Sequence, residues 1–368
     1  MSQASRVGAA VRGVLRDPVE RRQYAARLKW LVQGTGGLQA WSFEYRSGLT
    51  GSYSVDVARR APDEEIVIRC PDDCLSRSPL SHLYERRFVY TLPRSVVSTA
   101  NGATLYEGRE EASFVRESIS WPYESVVAHG LEIPVAKPGL PEHVPPSVVF
   151  PTTANYYHWL VEELPLVLRA HQDTPGVELV SYAPGVTTRH TLVCELLGVT
   201  LLPSPLVMRL RNQVLPGRAS DSFFVRPEDH RLLHEFGSRL ADGHDHGPTH
   251  LYVSRKRSRR PLPGEVVVEE ALAKRGFTVV YLEEVNWREQ ASLFRSARVV
   301  VGPHGAGLSN LVFSHPGTTL VELTNGQMYN RCFEWIAHVG GHHYVPVEWG
   351  ADASDTPAQL AGRVLDCV

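Results

Sequence analysis

The stretch that decides the fold is Val299–Glu322, which reads VVVGPHGAGLSNLVFSHPGTTLVE. Its three opening valines end at the glycine-rich loop Gly302–Gly307, and a short apolar segment follows over Leu308–Phe313. A turn at Ser314–Gly317 then leads into a second β-rich run, Thr318–Leu323. The order strand, loop, short helix, turn and strand predicts a parallel α/β unit.

The loop Gly302–Gly307 has the composition of an anion-binding turn. Its glycines let backbone N–H groups approach a ligand, and the following helix directs its positive end to the same point, where phosphate commonly binds. The loop is neither G-x-G-x-x-G nor a P-loop, so a tight turn without a ligand is the alternative. His304 favours a ligand, because imidazole can donate to a phosphate oxygen or exchange a proton near neutral pH. Glu322 closes the next strand at its carboxyl end, where α/β proteins place ligands.

Composition limits the class of protein. The chain has 368 residues, enough for two domains, and its 43% hydrophobic and 21% charged residues indicate a globular protein. The net charge of −2 provides no field for nucleic acid, so we expect no such partner. The five cysteines are scattered and odd in number, which favours a reducing compartment, here the cytoplasm. Cys70 and Cys74 have no second Cys or His pair with zinc-site spacing, and histidines such as those of the linker Gly243–Pro248 are more commonly exposed than metal-bound, so no metal site is expected.

The first 30 residues are basic, with seven Lys and Arg against two Asp and Glu. Val7, Val11 and Leu15 fall on one face of a predicted helix there. Such a helix can bind an anionic membrane, which would place the protein on the inner face of the cell membrane; a solvated helix docked on the first domain is the alternative. The segment lacks the apolar core of a secretion signal, and no run of about 18 apolar residues predicts a transmembrane helix.

Strand, helix and turn patterns divide the chain into three parts. We predict an N-terminal extension over residues 1–80, an α/β domain over 81–243 and a second α/β domain over 244–368. Asn101-Gly102 predicts a β-hairpin, and residues 206–215 read as strand. Two α/β domains joined by a linker leave a cleft between them, and such clefts commonly bind ligands.

His158 and Glu162 lie four residues apart near the start of a predicted helix, Asn155–His171. They share one helical face, so a base stands beside a carboxylate close to a helix N-terminus. The alternative is an ordinary amphipathic helix, with Trp159 in the core and the polar residues in water. The density of Asn, His, Trp and Glu directly after a strand favours a functional helix, which we expect to face the His304 loop from the first domain.

Arg255 begins a run of five cations in six residues, Arg255–Arg260, directly after the strand Leu251–Val253. Cations at the carboxyl end of a strand suit a polyanionic ligand. A solvated basic loop is the alternative. It is disfavoured because the His304 loop is expected at the same edge of the sheet.

Five motifs follow one another between Asn155 and Leu323. They are N-x-x-H-W-x-x-E-x-L-P at Asn155–Pro165, Y-V-S-R at Tyr252–Arg255, Glu289-Gln290, G-P-H-G-A-G-L-x-N at Gly302–Asn310 and P-G-T-x-x-x-E-L at Pro316–Leu323. In this order they resemble glycosyltransferase family 61, which includes bacterial capsule and exopolysaccharide enzymes and plant xylosyltransferases. One departure is Gly264-Glu265, where the family often has Asn-Glu, and residues 1–80 have no recognised counterpart.

The resemblance implies a GT-B architecture, in which two Rossmann-like domains face a central cleft. It also implies an inverting transfer of a hexosyl or pentosyl unit from a nucleotide sugar to a hydroxyl of a glycan acceptor, in bacterial surface polysaccharide synthesis. Such a displacement needs a base for the acceptor hydroxyl and charge stabilisation for the departing nucleoside diphosphate. The catalytic candidates are His158 and Glu162. The donor-site candidates are Arg255, Gly302, His304, Gly305, Ala306, Gly307, Asn310 and Glu322, and the acceptor-side candidates are Asn155, Trp159 and Glu163.

We expect a UDP-linked donor and no divalent metal or other cofactor, because cations and a helix dipole can replace the metal and no D-x-D motif is present. Two other functions stay open. A sugar-nucleotide epimerase can share the architecture and would release free sugar without an acceptor. A catalytically silent protein would bind nucleotide or polysaccharide and turn nothing over.

Overall fold

The structure, a computed structural model, describes residues 65–68, 80–83, 89–107, 112–115, 118, 138–217, 224–242, 247–258, 261–324, 330–349 and 356–368. The expectations for residues 1–30, for Cys70 and Cys74 and for His244 and His246 lie outside these residues. The chain divides into two compact units. Among the described residues, 89–153 and 169–217 belong to the first unit, and 65–68, 80–83, 154–168 and 224–368 belong to the second.

The two units are interleaved along the sequence. Residues 154–168, which carry the start of the helix with His158, group with the C-terminal part of the chain rather than with the strand that precedes them. The sequence analysis expected this helix in the first domain. The domain boundaries at residues 80 and 243 stay a prediction, because the units are groups of mutual contacts and not continuous segments.

The first unit contains two mixed sheets. The first two strands of the chain, β1 (Glu65–Ile68) and β2 (Leu80–Leu83), form an antiparallel pair that belongs to the second unit. The strands of the first unit are β3 (Val89–Leu92), β4 (Ser95–Ser98), β5 (Thr104–Glu107), β6 (Ala112–Val115), β7 (Glu142–His143), β8 (Ser147–Val149), β9 (Glu178–Tyr182), β10 (Leu201–Ser204), β11 (Val207–Leu210) and β12 (Gln213–Pro216). One sheet has the order β10-β9-β8-β12-β3, in which β3 is the antiparallel edge strand. The other has the order β6-β5-β4-β11-β7 and is antiparallel except between β11 and β7.

Two helices contribute to this unit. Helix α1 spans residues 156–173, of which 169–173 belong here, and α2 spans Thr188–Leu197. Helix α2 ends at Gly198, whose φ of 68° lies in the left-handed region that glycine adopts at helix ends.

The predicted hairpin at Asn101-Gly102 is confirmed. It joins β4 to β5, the backbone N–H of Ser98 donates to Ala103 at 2.8 Å, and Gly102 has a φ of 81°. The strand-like run over residues 206–215 is two strands rather than one. β11 and β12 belong to different sheets and are separated by a bend at residues 211–212, which hydrophobic patterning alone does not reveal.

The second unit is built on a parallel five-stranded sheet with the order β14-β13-β15-β16-β17. The strands are β13 (His250–Val253), β14 (Thr278–Val280), β15 (Val299–Pro303), β16 (Thr319–Thr324) and β17 (His343–Glu348). The helices are α3 (Pro227–Leu240), α4 (Glu265–Ala273), α5 (Trp287–Ser296), α6 (Cys332–Gly340) and α7 (Pro357–Leu365), with a 3-10 helix at Ala306–Phe313. The α/β class predicted from the sequence is confirmed.

Burial on both faces explains the apolar runs of the central strands β15 and β16. Val300, Val301, Leu320 and Val321 are all fully buried, as expected for a parallel sheet covered by helices. Helix α6 was missed by the sequence analysis. Seven of its nine residues are buried, and its sequence is mostly apolar.

Among the described residues, no helix has both the length and the apolar character needed to cross a membrane.

Helices α3 and α7 each contain a glycine, and the two glycines differ in how closely other atoms approach them. A Cβ atom on Gly237 of α3 would lie 2.5 Å from Cδ1 of the buried Phe313, whereas one on Gly362 of α7 would meet no atom within 4 Å. We expect Gly237→Ala to lower the free energy of unfolding by about 1–3 kcal/mol through overpacking. Gly362→Ala should leave it unchanged or raise it by up to about 1 kcal/mol through helix propensity. Thermal unfolding measures both, and equal stability of the two variants would contradict this packing.

Histidines from three segments lie together near Arg295 of α5. His230 and His234 are on α3, and the ring of His230 is 6.1 Å from that of His342, while the ring of His234 is 5.6 Å from that of His315. Burial, with the charge of His342 as a smaller cause, lowers the pKa of His230 to about 3. Burial and the charge of His234 lower the pKa of His342 to about 4. Both imidazoles are therefore neutral in the folded protein at neutral pH.

This cluster should make the fold sensitive to acid. An unfolded histidine has a pKa near 6.5, so the unfolded chain binds more protons as pH falls from about 6.5 toward the folded values. The free energy of unfolding therefore does not depend on these two histidines above about pH 6.5. Below that pH it falls by about 1.4 kcal/mol per pH unit for each of them. His230→Gln should therefore lose less thermal stability between about pH 7 and about pH 5 than the unchanged protein. His338→Gln, on the exposed face of α6, is the matched control. An identical loss in His230→Gln and the unchanged protein would overturn this reading.

Candidate active site

The candidate site lies at the carboxyl edge of the parallel sheet in the second unit. β15 pairs with β13 on one side and with β16 on the other, and Gly302 stands opposite Glu322 in the register. Arg255, two residues after β13, the loop after β15 and Glu322 near the end of β16 are therefore neighbours. The sequence analysis expected this adjacency from the order of the strands.

His304 is held by a buried carboxylate. Its Nδ1 forms a short hydrogen bond with Oε1 of Glu322, and the hydroxyl of Tyr344 donates to Oε2 of the same carboxylate at 2.7 Å. The side chain of Glu322 is 1% exposed and that of His304 is 30% exposed. The buried carboxylate thus orients an imidazole that is still accessible from outside.

The buried charge of Glu322 also affects its surroundings. Burial is the main cause that raises the pKa of the Cys332 thiol well above its usual value, and the negative charge of Glu322 adds to it. Cys332 is therefore a thiol at neutral pH and not a reactive thiolate.

Arg255 is anchored at both its backbone and its guanidinium group. Its backbone N–H donates to Oε1 of Glu265 at 2.7 Å, and its Nη1 donates in a short hydrogen bond to the carbonyl oxygen of His304. The guanidinium group packs against Gly305, where a Cβ atom would lie 3.0 Å from Cζ of the arginine. A cation is thus placed directly beside the glycine-rich loop.

Neighbouring atoms of the protein leave little room for a side chain at the glycines of the loop. A Cβ atom on Gly302 would lie 3.0 Å from the carbonyl oxygen of Val253, and one on Gly307 would lie 2.8 Å from Cδ1 of Leu282. Together with the contact of Gly305 and Arg255, these distances show that β13 and the following loops approach the glycines closely. Approach of a ligand to the same backbone stays a prediction.

The segment after the loop is a 3-10 helix, Ala306–Phe313, in which Asn310 is fully buried. Oδ1 of Asn310 accepts from the hydroxyl of Tyr156 at 2.5 Å, and its Nδ2 donates to Gln290 at 3.1 Å. Gln290 in turn donates to the carbonyl oxygens of Leu282 and Val285 at 2.8 and 2.9 Å. Asn310 therefore joins this helix to α1 and α5, and a donor contact for it stays a prediction.

Helix α1 begins with a cap and a π-helical turn. The side chain of Asn155 accepts from the backbone N–H of Tyr157 at 3.0 Å, so this predicted acceptor residue is the N-cap. The helix is π-helical over Trp159–Glu163, where the N–H of Leu164 donates to the carbonyl of Trp159. Pro165 follows and has no N–H to restore the ordinary ladder, and π turns are frequent at functional sites.

The predicted pair of His158 and Glu162 is formed. Nδ1 of His158 lies 2.8 Å from Oε1 of Glu162, and their side chains are 8% and 10% exposed. The carboxylate fixes the orientation of the imidazole, as Glu322 does for His304.

Trp159 and Glu163, both predicted on the acceptor side, are buried. The indole of Trp159 packs edge-on against that of Trp287 at 5.2 Å, and the Trp287 Nε1 donates to the hydroxyl of Tyr156 at 2.9 Å. These contacts bind the start of α1 to α5. An acceptor contact for Trp159 or Glu163 stays a prediction.

Aromatic rings connect the two histidine–glutamate pairs. Tyr157 contacts the ring of His158 at 5.7 Å and that of Phe333 at 5.7 Å, and Phe333 contacts the ring of His304 at 5.1 Å. The sequence analysis missed Phe333 and Tyr344. Phe333 belongs to the unrecognised helix α6, and Tyr344 follows β16 by twenty residues without a motif around it.

The remaining cations of the basic run bind acidic partners where the structure describes them. Nζ of Lys256 lies 3.6 Å from Glu269, and Arg257 pairs with Glu284 and lies over the ring of Tyr281 at 4.2 Å. Arg259 and Arg260 lie outside the described residues. Of the cations of the run that the structure describes, Arg255 is the one that reaches the loop at Gly305.

Within the described ranges, no three His, Cys, Asp or Glu side chains are grouped as metal ligands would be.

This arrangement, a parallel α/β sheet with an arginine and an oriented imidazole at its carboxyl edge, is of a class whose chemistry suits anionic ligands such as nucleotides. The sequence comparison specifies the class. Residues 156–321 match the family model described as Glycosyltransferase 61, so the resemblance predicted from the motifs is confirmed. This region contains His158, Arg255 and the loop with His304.

A curated relative agrees with the family match. The beta-1,2-xylosyltransferase of Arabidopsis thaliana is 33% identical to this chain over 75 residues, which are 20% of this chain and 14% of the relative. The alignment thus spans about a seventh of the length of the curated relative.

Proposed function

We propose that the protein is an inverting glycosyltransferase that moves a sugar from a nucleotide-sugar donor to a hydroxyl group of a glycan acceptor. The observation that carries the proposal is the position of Arg255 beside the His304 loop, within a region that matches glycosyltransferase 61. A guanidinium group at the carboxyl edge of a parallel sheet suits the diphosphate of such a donor.

The residues at the carboxyl edge of the sheet would act on the diphosphate of the donor. As the bond between the anomeric carbon and the diphosphate oxygen breaks, negative charge grows on the leaving group. Arg255, the first N–H groups of the 3-10 helix after Gly305 and the imidazole of His304 can stabilise that charge. Because cations and backbone N–H groups serve this purpose, we propose that the reaction needs no divalent metal.

Proton removal from the acceptor is assigned to His158. In a single displacement, the acceptor oxygen forms a bond to the anomeric carbon while its proton passes to the base. Glu162 binds Nδ1 of His158, so Nε2 is the nitrogen that would accept the proton. The anomeric configuration inverts, and the nucleoside diphosphate leaves.

Several finer expectations belong to the same proposal. We propose that the chain has a GT-B architecture. We also propose that the enzyme acts in bacterial surface polysaccharide synthesis, in the cytoplasm or at the inner face of the membrane. The name of the plant relative makes a UDP-pentose a donor to test first, beside UDP-hexoses. Release of free sugar without an acceptor would favour the epimerase alternative, and nucleotide binding without turnover would favour a silent binding protein.

The diphosphate site can be tested by binding of UDP. Arg255→Ala should weaken UDP binding by roughly 1.5–3 kcal/mol, since it removes a charge-assisted hydrogen bond. Isothermal titration calorimetry measures the change. The matched control is Arg298→Ala, which removes an exposed arginine before β15, at the opposite edge of the sheet. If folded Arg255→Ala binds UDP as tightly as the control, the arginine is not part of the site.

The base can be tested by turnover. His158→Ala and Glu162→Gln should each lower kcat at least ~10²-fold, the usual contribution of general base catalysis, and leave UDP affinity nearly unchanged. His171→Ala, near the other end of α1, is the matched control for loss of an imidazole from this helix. Near-normal turnover in both variants with the natural acceptor would assign the base elsewhere and make the start of α1 structural.

A further inference from the structure

Two carboxylates of helix α4 are buried beside Arg255 and have no part in the proposed reaction. Glu265 and Glu269 are 1% and 6% exposed. They lie four residues apart, so they share one face of the helix, and that face meets the end of β13. A buried carboxylate is costly unless hydrogen bonds satisfy it, so the partners of these two show what they hold in place.

Glu265 joins three segments of chain. Its Oε1 accepts from the backbone N–H of Arg255 at 2.7 Å and from the hydroxyl of Tyr252 at 3.1 Å. Its Oε2 accepts from the backbone N–H of Leu262 at 3.4 Å. Burial and the charge of Glu265 raise the pKa of Tyr252, so the phenol remains a donor to the carboxylate.

Glu269 binds the residues on either side of Arg255. Its Oε1 accepts from the hydroxyl of Ser254 at 2.5 Å, and its Oε2 accepts from Tyr281 at 3.3 Å and lies 3.6 Å from Nζ of Lys256. The Ser254 oxygen in turn accepts from the backbone N–H of Lys256 at 3.1 Å. The backbone over residues 254–256 is therefore fixed by two carboxylates at the point where the arginine side chain leaves it.

We propose that Glu265 and Glu269 are positioning residues that hold residues 254–256 so that Arg255 presents its guanidinium group to the diphosphate of the donor. This rests on the proposed function, since it assumes that Arg255 binds the diphosphate. Glu265 acts directly on the arginine through its backbone N–H, and Glu269 acts through Ser254 and Lys256. The guanidinium group is then kept against Gly305 by its hydrogen bond to His304.

A double-mutant cycle with UDP as the probe tests the proposal. Glu265→Ala should weaken UDP binding about tenfold, the scale of a lost hydrogen bond to a charged group, and raise the KM for the donor more than that for the acceptor. In an Arg255→Ala background, the same substitution should cause no further loss, because the residue through which it acts is gone. Glu265→Gln keeps an oxygen that can accept the Arg255 N–H and should recover most of the affinity. Tyr252→Phe removes the other donor to the same oxygen and should change UDP affinity by less than about twofold.

The outcomes distinguish failure of the diphosphate site at Arg255 from failure of the positioning role of Glu265. If Arg255→Ala weakens UDP binding and Glu265→Ala does not, Glu265 has no positioning role while the diphosphate site stands. If the losses from Arg255→Ala and Glu265→Ala add, the glutamate acts on general stability rather than through the arginine. If Arg255→Ala binds UDP normally, the proposed site and this inference both fail. Thermal unfolding of each variant identifies any that do not fold. If Glu265→Ala does not fold, Glu265→Asp takes its place, because its shorter side chain withdraws the acceptor from the Arg255 N–H and should also weaken UDP binding.

Discussion

Parallel pairing of β15 with both β13 and β16 is the constraint on which the candidate site depends. It brings the ends of three strands to one edge, so that Arg255, His304 and Glu322 meet although up to 67 residues separate them in sequence. Parallel strands require crossover segments, and these supply the loops and helices that carry the side chains. The apolar runs of the strands thus determine the location of the polar site without contributing to its chemistry.

Buried carboxylates orient the polar groups of this region. Glu322 holds His304, Glu162 holds His158, and Glu265 holds the backbone of Arg255. A carboxylate away from water is costly unless it accepts hydrogen bonds, and each of these three has at least one such contact. The consequence is a set of polar side chains whose orientation is fixed by the protein itself, as electrostatic preorganisation requires.

Aromatic and amide groups attach the start of helix α1 to the rest of the second unit. Trp159 packs on Trp287, and Tyr156 joins Asn310 to the indole of Trp287. Several residues of the family-like motifs therefore have structural partners, even where their motif suggested contact with a ligand. The π-helical turn before Pro165 is part of the same arrangement, because it shifts the register of the side chains that follow His158.

The sequence by itself determined the α/β class, the hairpin at Asn101-Gly102, the strands around the glycine-rich loop and the pairing of His158 with Glu162. All of these depend on local signals: β-branched runs, turn residues and a spacing of four along a helix. Only the tertiary structure decided which residues hold the site in place. Phe333 and Tyr344 reach it from elements that no motif marks, and the sequence did not reveal that Glu265 holds the backbone of Arg255. Contact across a sheet edge depends on strand order and on which helix covers the edge, and neither is encoded in a short window of sequence.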